Sequence, residues 1–136
     1  HCLPVELGSP ESWTLFWADE FNGNALNTSV WNPKTGTHTN QELEYYLPKQ
    51  VSVEGGNLVL KSEPMEFDGH NYVSGWVDSA NKFSTTFGRW EIRAKLPYGQ
   101  GLWPAHWMMP DYDVCWPMGG EIDSMNPGLL LHGLSL

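Results

Sequence analysis

Cysteine and cationic residues are scarce in this sequence, and no long apolar run appears in it. Two cysteines, Cys2 and Cys115, are too few to define a disulfide framework. Whether they pair with each other or Cys115 pairs elsewhere stays open. Lys and Arg total 7 against 16 Asp and Glu, a formal net charge of −9. That balance repels phosphate backbones and anionic bilayers, so neither nucleic acid nor membrane is an expected partner. No stretch approaches the roughly 18 apolar residues of a membrane span. The sequence opens at His1 without an initiator Met or a signal peptide, and it reads as a mature or excised soluble piece. Few lysines together with many Trp and Asn residues fit a secreted, extracellular protein.

Helical periodicity is also missing. Apolar residues come in short alternating runs divided by Gly, Pro, Asn and Asp, the pattern of an all-β chain. The clearest run is Arg89 to Pro97, where Trp90, Ile92, Ala94 and Leu96 alternate with Glu91, Arg93 and Lys95. Successive side chains of a strand face opposite ways, so this predicts a half-buried strand with a solvated charged face. Val51-Ser-Val and Leu58-Val-Leu-Lys flank Glu54-Gly-Gly-Asn, whose glycines suit the positive φ angles of a tight hairpin. Further strands are predicted at Thr14 to Trp17, Tyr72 to Val77, Leu102 to Met109 and Gly120 to Met125. Pro104 cannot donate to a ladder and implies an edge, a bulge or a late start for its strand. The spacing suggests a sandwich or barrel.

Aromatic residues are what the sequence has in excess, with 8 tryptophans in 136 residues. Indole faces pack or bind something, and a neutral ligand suits the charge balance. The chemistry-bearing residues are Glu121 and Asp123. Two apart on a strand, they share a face, and two close carboxylates drive their pKa values apart so that one stays ionised beside a protonated neighbour. On its own such a pair is commonly a solvated strand face. Its neighbourhood shifts the balance: Gly119 and Gly120 precede it and allow a ligand close, and Trp103, Trp107 and Trp116 lie upstream. Sugar rings present apolar C–H faces that stack on indoles. Ordinary core packing is the plain alternative for these tryptophans.

Six blocks then occur in one order: Trp17-Ala-Asp-Glu-Phe-Asn, Asn40-Gln-Glu-Leu-Glu-Tyr-Tyr, Glu54-Gly-Gly-Asn-Leu-Val-Leu, Phe87-Gly-Arg-Trp-Glu-Ile-Arg-Ala-Lys-Leu-Pro, Gly101-Leu-Trp-Pro-Ala-His-Trp-Met-Met-Pro and Gly119-Gly-Glu-Ile-Asp. From Trp13 to Met125 the chain resembles glycoside hydrolase family sixteen, in particular its laminarinase-like endo-β-1,3-glucanases. The resemblance implies a concanavalin A-like β-jelly-roll sandwich, a β-glucan polysaccharide in a groove, retention of configuration and no required cofactor. It implies Glu121 as nucleophile, Asp123 as the assisting carboxylate, and Asn40, Trp103, Trp107 and Trp116 as substrate-binding residues. A monomer is expected. A structural calcium, held in many members near the segments around Glu20 and Gly56 and by a carboxylate near the C-terminus, is left open.

The family signature has the form E-I-D-I-M-E, and where its second Glu acts as general acid/base this sequence has Asn126. Strict alternation would turn position 126 away from Glu121, and one bulged residue within Ser124-Met125 would restore the shared face. Asn can hydrogen-bond but has no proton to give, so cleavage of unactivated glucan is expected to be impaired. A non-catalytic glucan-recognition protein is the alternative. His106 falls on the opposite parity from Trp103 and Trp107 and reads as packed or surface, not catalytic. His38, His70 and His132 lack metal-ligand spacing, which argues against a catalytic transition metal. From 126 to 136 the resemblance dissolves into a leucine-rich tail, and 1–136 reads as a single partial domain, incomplete in its C-terminal half. Uncovered inner faces would leave such a piece marginally stable.

Overall fold

The computed structural model describes residues 13–125, so Cys2, Asn126 and the leucine-rich tail lie outside the described residues. These residues gather into two compact units, one ending at Arg89 and one beginning at Trp90. The regular structure of both is mainly strand; the helical content among the described residues is one 3-10 turn at Pro48–Gln50.

In the first unit the strands are β1 (Asn32–Pro33), β2 (Glu44–Tyr46), β3 (Val51–Glu54), β4 (Asn57–Leu60), β5 (Glu63–Phe67), β6 (His70–Ser74) and β7 (Val77–Asp78). β3 and β4 form the expected hairpin, closed at Gly55 and Gly56 with φ of 56° and 73°. Two consecutive positive φ angles mark the hairpin turn whose twist matches that of its strands. A second hairpin joins β5 to β6 through Asp68 and Gly69, with φ of 48° and 79°. β2 adds to β6 in parallel, giving a sheet in the order β2-β6-β5 with β6 at its centre.

Burial follows from that order. Val73 on β6 is 0% exposed, and Tyr46, Leu47 and Val53 are buried with it. Gln50 is also buried and donates through Nε2 to Glu63 Oε1 at 3.0 Å, which answers the cost of enclosing a polar amide. Gly75, just past β6, sits where a Cβ would run into the Gln50 carbonyl oxygen and come within 3.2 Å of Leu60 Cα. That carbonyl already accepts from the Lys61 N–H at 2.9 Å.

Several expected strands are corrected. Thr14 to Trp17 pairs into no ladder; Leu15 and Phe16 are exposed, and the segment is held through Trp17, stacked on Phe83 with centroids 4.6 Å apart. Asp19 ties the following turn, accepting from the Phe21 N–H and from Trp31 Nε1, both at 2.9 Å. Tyr72 to Val77 divides into β6 and β7 around Gly75. Arg89 to Pro97 forms no ladder either. Its alternation is real all the same, since Trp90, Ile92, Ala94 and Leu96 line one groove with His106, Ser124 and Met125. Alternation reports which residues share a face, whereas a ladder needs a neighbouring strand in register.

The second unit contributes β8 (His106–Met108) and β9 (Ile122–Met125), paired antiparallel. The run Leu102 to Met109 is thus ordered as a strand only from His106 onward, the late start that Pro104 implies.

Candidate active site on the β8–β9 ladder

Register decides what this ladder presents. Trp107 pairs with Asp123, so the two side chains share one face; His106 pairs with Met125. One step along β8 therefore corresponds to two along β9, and Ser124 is the extra residue. This is the bulge that the signature spacing calls for, at the position expected. Ser124 Oγ donates to the His106 carbonyl oxygen at 2.9 Å and fastens the bulge from the side. Position 126 itself is outside the described residues.

Upstream of β9 the chain turns twice, the Met118 N–H donating to Cys115 O at 2.9 Å and the Gly120 N–H to Pro117 O at 3.0 Å. Gly120 has a φ of 76°, which a side chain would resist. At Gly119 a Cβ would strike Val114 Cγ1 and lie 2.8 Å from Pro110 Cγ. Gly119 thus serves internal packing, and Gly120 serves chain reversal with open space where a Cβ would stand. The turns bring Trp116 back to Glu121: Trp116 Nε1 donates to Glu121 Oε2 at 2.9 Å while the ring stays 68% exposed.

The remaining site residues are placed as follows. Trp103 is exposed ahead of β8, and Trp107 is half-buried within it. His106 lines the groove with Trp90 and Ile92, in keeping with a packing role. Asn40 belongs to the first unit, exposed in a bend beside Gln41, whose φ is 58°. Cys115 is a free, exposed thiol among the described residues. The ladder thus joins Trp107 to Asp123, and a side-chain hydrogen bond across the turns ahead of β9 joins Trp116 to Glu121. Ser124, which locks the bulge, is the site residue that spacing alone marks only as a position.

Sequence reasoning gives no chemical role to a further cluster of the first unit, although Glu42, Glu44 and Tyr46 lie in one of the six blocks. The Tyr46 hydroxyl lies 2.7 Å from Glu42 Oε2 and 3.0 Å from Glu44 Oε1, its one proton facing two carboxylates. Burial, then the bond to Glu42 and the charge of Glu44, holds the Tyr46 phenol far above its ordinary pKa. Trp76 packs edge-on to Tyr46 at 5.0 Å, with Lys34 Nζ 4.8 Å from the Trp76 ring centroid. His38 Nδ1 sits 3.4 Å from Glu42 Oε1. Among the described residues no group of three or more His, Cys, Asp or Glu gathers in metal-binding fashion.

The scaffold is all-β, with Asp123 opposite Trp107 on the ladder and Glu121 held by the indole of Trp116. Residues 6–113 match the family model described as beta-glucan synthesis-associated protein SKN1/KRE6/Sbg1, and the chain belongs to that family. The laminarinase-like resemblance and the β-jelly-roll fold are both borne out. The chain is 40% identical over 147 residues to a beta-glucanase of Rhodothermus marinus, covering 93% of this chain and 51% of that protein. It is also 40% identical over 131 residues to a keratan-sulfate endo-1,4-beta-galactosidase of Sphingobacterium multivorum, covering 88% and 31%. The solved laminarinase from Rhodothermus marinus superimposes with a TM-score of 0.74 at 42% identity, over 82% of this chain and 48% of that one. The chain thus spans about half the length of the first of these relatives and less of the second.

Proposed function

We propose that this chain carries the nucleophile side of a retaining endo-β-glucan hydrolase site, cutting β-1,3 or mixed β-1,3-1,4 linkages. The observation that carries this reading is the β8–β9 ladder, with Trp107 opposite Asp123 and Glu121 held by Trp116 at its head. Glu121 attacks the anomeric carbon, and Asp123 assists electrostatically. Asn40, Trp103, Trp107 and Trp116 contact the polysaccharide. Retaining chemistry needs a second carboxyl about 5–5.5 Å from the nucleophile. The residue at that place in the signature is Asn126, so cleavage of unactivated glucan is impaired.

No cofactor enters this chemistry. Calcium, where bound, would draw on carbonyl oxygens of the two segments around Glu20 and Gly56, a hard-oxygen set of the kind that ion takes. A Cβ at Gly56 would lie 3.8 Å from Asn22 Oδ1, so the two segments do meet. Asp19 has both carboxylate oxygens engaged by protein donors, which favours a structural use of that side chain. A secreted, monomeric setting belongs to the same proposal and rests on composition and charge.

Asn126 favours one second reading, a protein that binds β-glucan without cutting it. The family model ends at residue 113, ahead of the catalytic strand, and so supports either reading equally. The test is an activated 2-fluoro aryl β-glucoside, whose leaving group departs without a proton. Mass spectrometry is expected to find a covalent glycosyl adduct on Glu121. Laminarin binding with no adduct would decide for recognition alone.

A further inference from the structure

We infer that Trp116 is a positioning residue for Glu121, acting through its indole N–H more than through its ring face. The inference rests on the reading of Glu121 as nucleophile. The terminal torsion of a glutamate is broad and roughly two-fold, so an unrestrained carboxyl samples many planes. A donor fixed on one oxygen removes that freedom. Trp116 Nε1 is 2.9 Å from Oε2, which leaves Oε1 for the sugar.

Two features show that this contact is built and not incidental. The ring is 68% exposed, so burial does not force the N–H onto the carboxylate. Between Trp116 and Glu121 the backbone is closed by two successive turn hydrogen bonds, and Gly119 is pressed against Pro110 and Val114. The loop therefore sets the separation of indole and carboxylate. An indole N–H donates and cannot accept, so Trp116 orients the carboxylate without competing for protons.

The covalent step is balanced without an acid when the leaving group is a dinitrophenolate. Glu121 Oε1 gives an electron pair to the anomeric carbon as the bond from that carbon to the aryl oxygen breaks. The bonding pair leaves with the phenolate, and Oε2 becomes the carbonyl oxygen of the glycosyl ester. Trp116 stays on Oε2 throughout, so it orders the carboxylate before attack.

The experiment is labelling by 2,4-dinitrophenyl 2-deoxy-2-fluoro-β-laminaribioside, followed against concentration in the full chain and in Trp116→Phe, which keeps an aromatic face and removes the N–H. The limiting labelling rate is expected to fall by about tenfold or more, with the half-saturating concentration unchanged. An unchanged rate, or a change confined to half-saturation, would make Trp116 a stacking residue and overturn the inference alone. No labelling of the unsubstituted chain would remove the nucleophile reading and the inference with it. A second measurement does not depend on the variant at 116: the Trp116 indole N–H resonance is expected to move on Glu121→Gln, and a resonance that stays put overturns the contact.

Discussion

In the unit ending at Arg89, Val73 is fully enclosed and Tyr46, Leu47, Gln50 and Val53 are buried around it; among the described residues from Trp90 onward none is buried. The first unit invests its apolar residues in a small core beneath the β2-β6-β5 sheet. The second lays Trp90, Ile92 and Leu96 along an open groove and has individual hydrogen-bonded devices: a bulge fastened by Ser124, two turns and an indole-to-carboxylate bond. The difference places the buried packing in one region and the residues of the proposed chemistry in the other. Segments with few buried contacts are those that open first, and functional loops are commonly drawn from them.

The largest expected effect tests whether the chemistry belongs to the second region. Asn126→Glu restores a group that can hand a proton to the departing sugar oxygen. General acid catalysis contributes about 10²–10⁴-fold, so release of reducing ends from laminarin is expected to rise by that order. Glu121→Gln in the same background should abolish the gain. A variant with Glu at 126 that binds laminarin yet cuts no faster would break the assignment.

The next effect tests the first region. Gly75→Ala drives a methyl group into the Gln50 backbone, where no side chain can swing aside. Overpacking of that kind costs roughly 1–3 kcal/mol, read as a lower urea midpoint. Gly119→Ala meets side-chain atoms of Val114 and Pro110 instead. It is expected to cost less stability and to slow labelling of Glu121, because the turn it disturbs carries Trp116. Equal losses of stability in the two variants would erase the contrast between the regions.

How much of this could be read beforehand depends on the range of the forces involved. The Gly55-Gly56 hairpin is local chemistry and was legible, as was the bulge in β9, because the spacing from Glu121 to position 126 demands one. Asp68-Gly69 carries an equally strong local signal for the β5–β6 hairpin. The alternation from Trp90 to Leu96 correctly sorts faces and overstates the strand, since ladders depend on partners elsewhere in the chain. The parallel pairing of Glu44–Tyr46 with β6 is set by long-range packing of three residues, too short a run for any period to show. Of the proposed site, Glu121 and Asp123 are the residues that the motif marks. That the Trp116 N–H reaches Glu121 depends on the path of a loop, which residue types alone do not fix.

The smallest effect sharpens the comparison through pH. Burial and the two carboxylates keep the Tyr46 proton bound in the folded chain far above pH 10, where an unfolded tyrosine gives it up. The folded pKa lies above the unfolded one, so this contribution is complete below about pH 10 and declines as pH rises past it. The decline is about 1.4 kcal/mol per pH unit while the folded phenol holds its proton. Alkaline unfolding of the first unit should therefore steepen above that point, and Tyr46→Phe, which has no proton to lose, should flatten it. The β8–β9 ladder contains no tyrosine, so any alkaline loss there should follow at the same pH in both chains. Unfolding curves for unsubstituted chain and Tyr46→Phe that run parallel above pH 10 would mean that the phenol is not enclosed between Glu42 and Glu44.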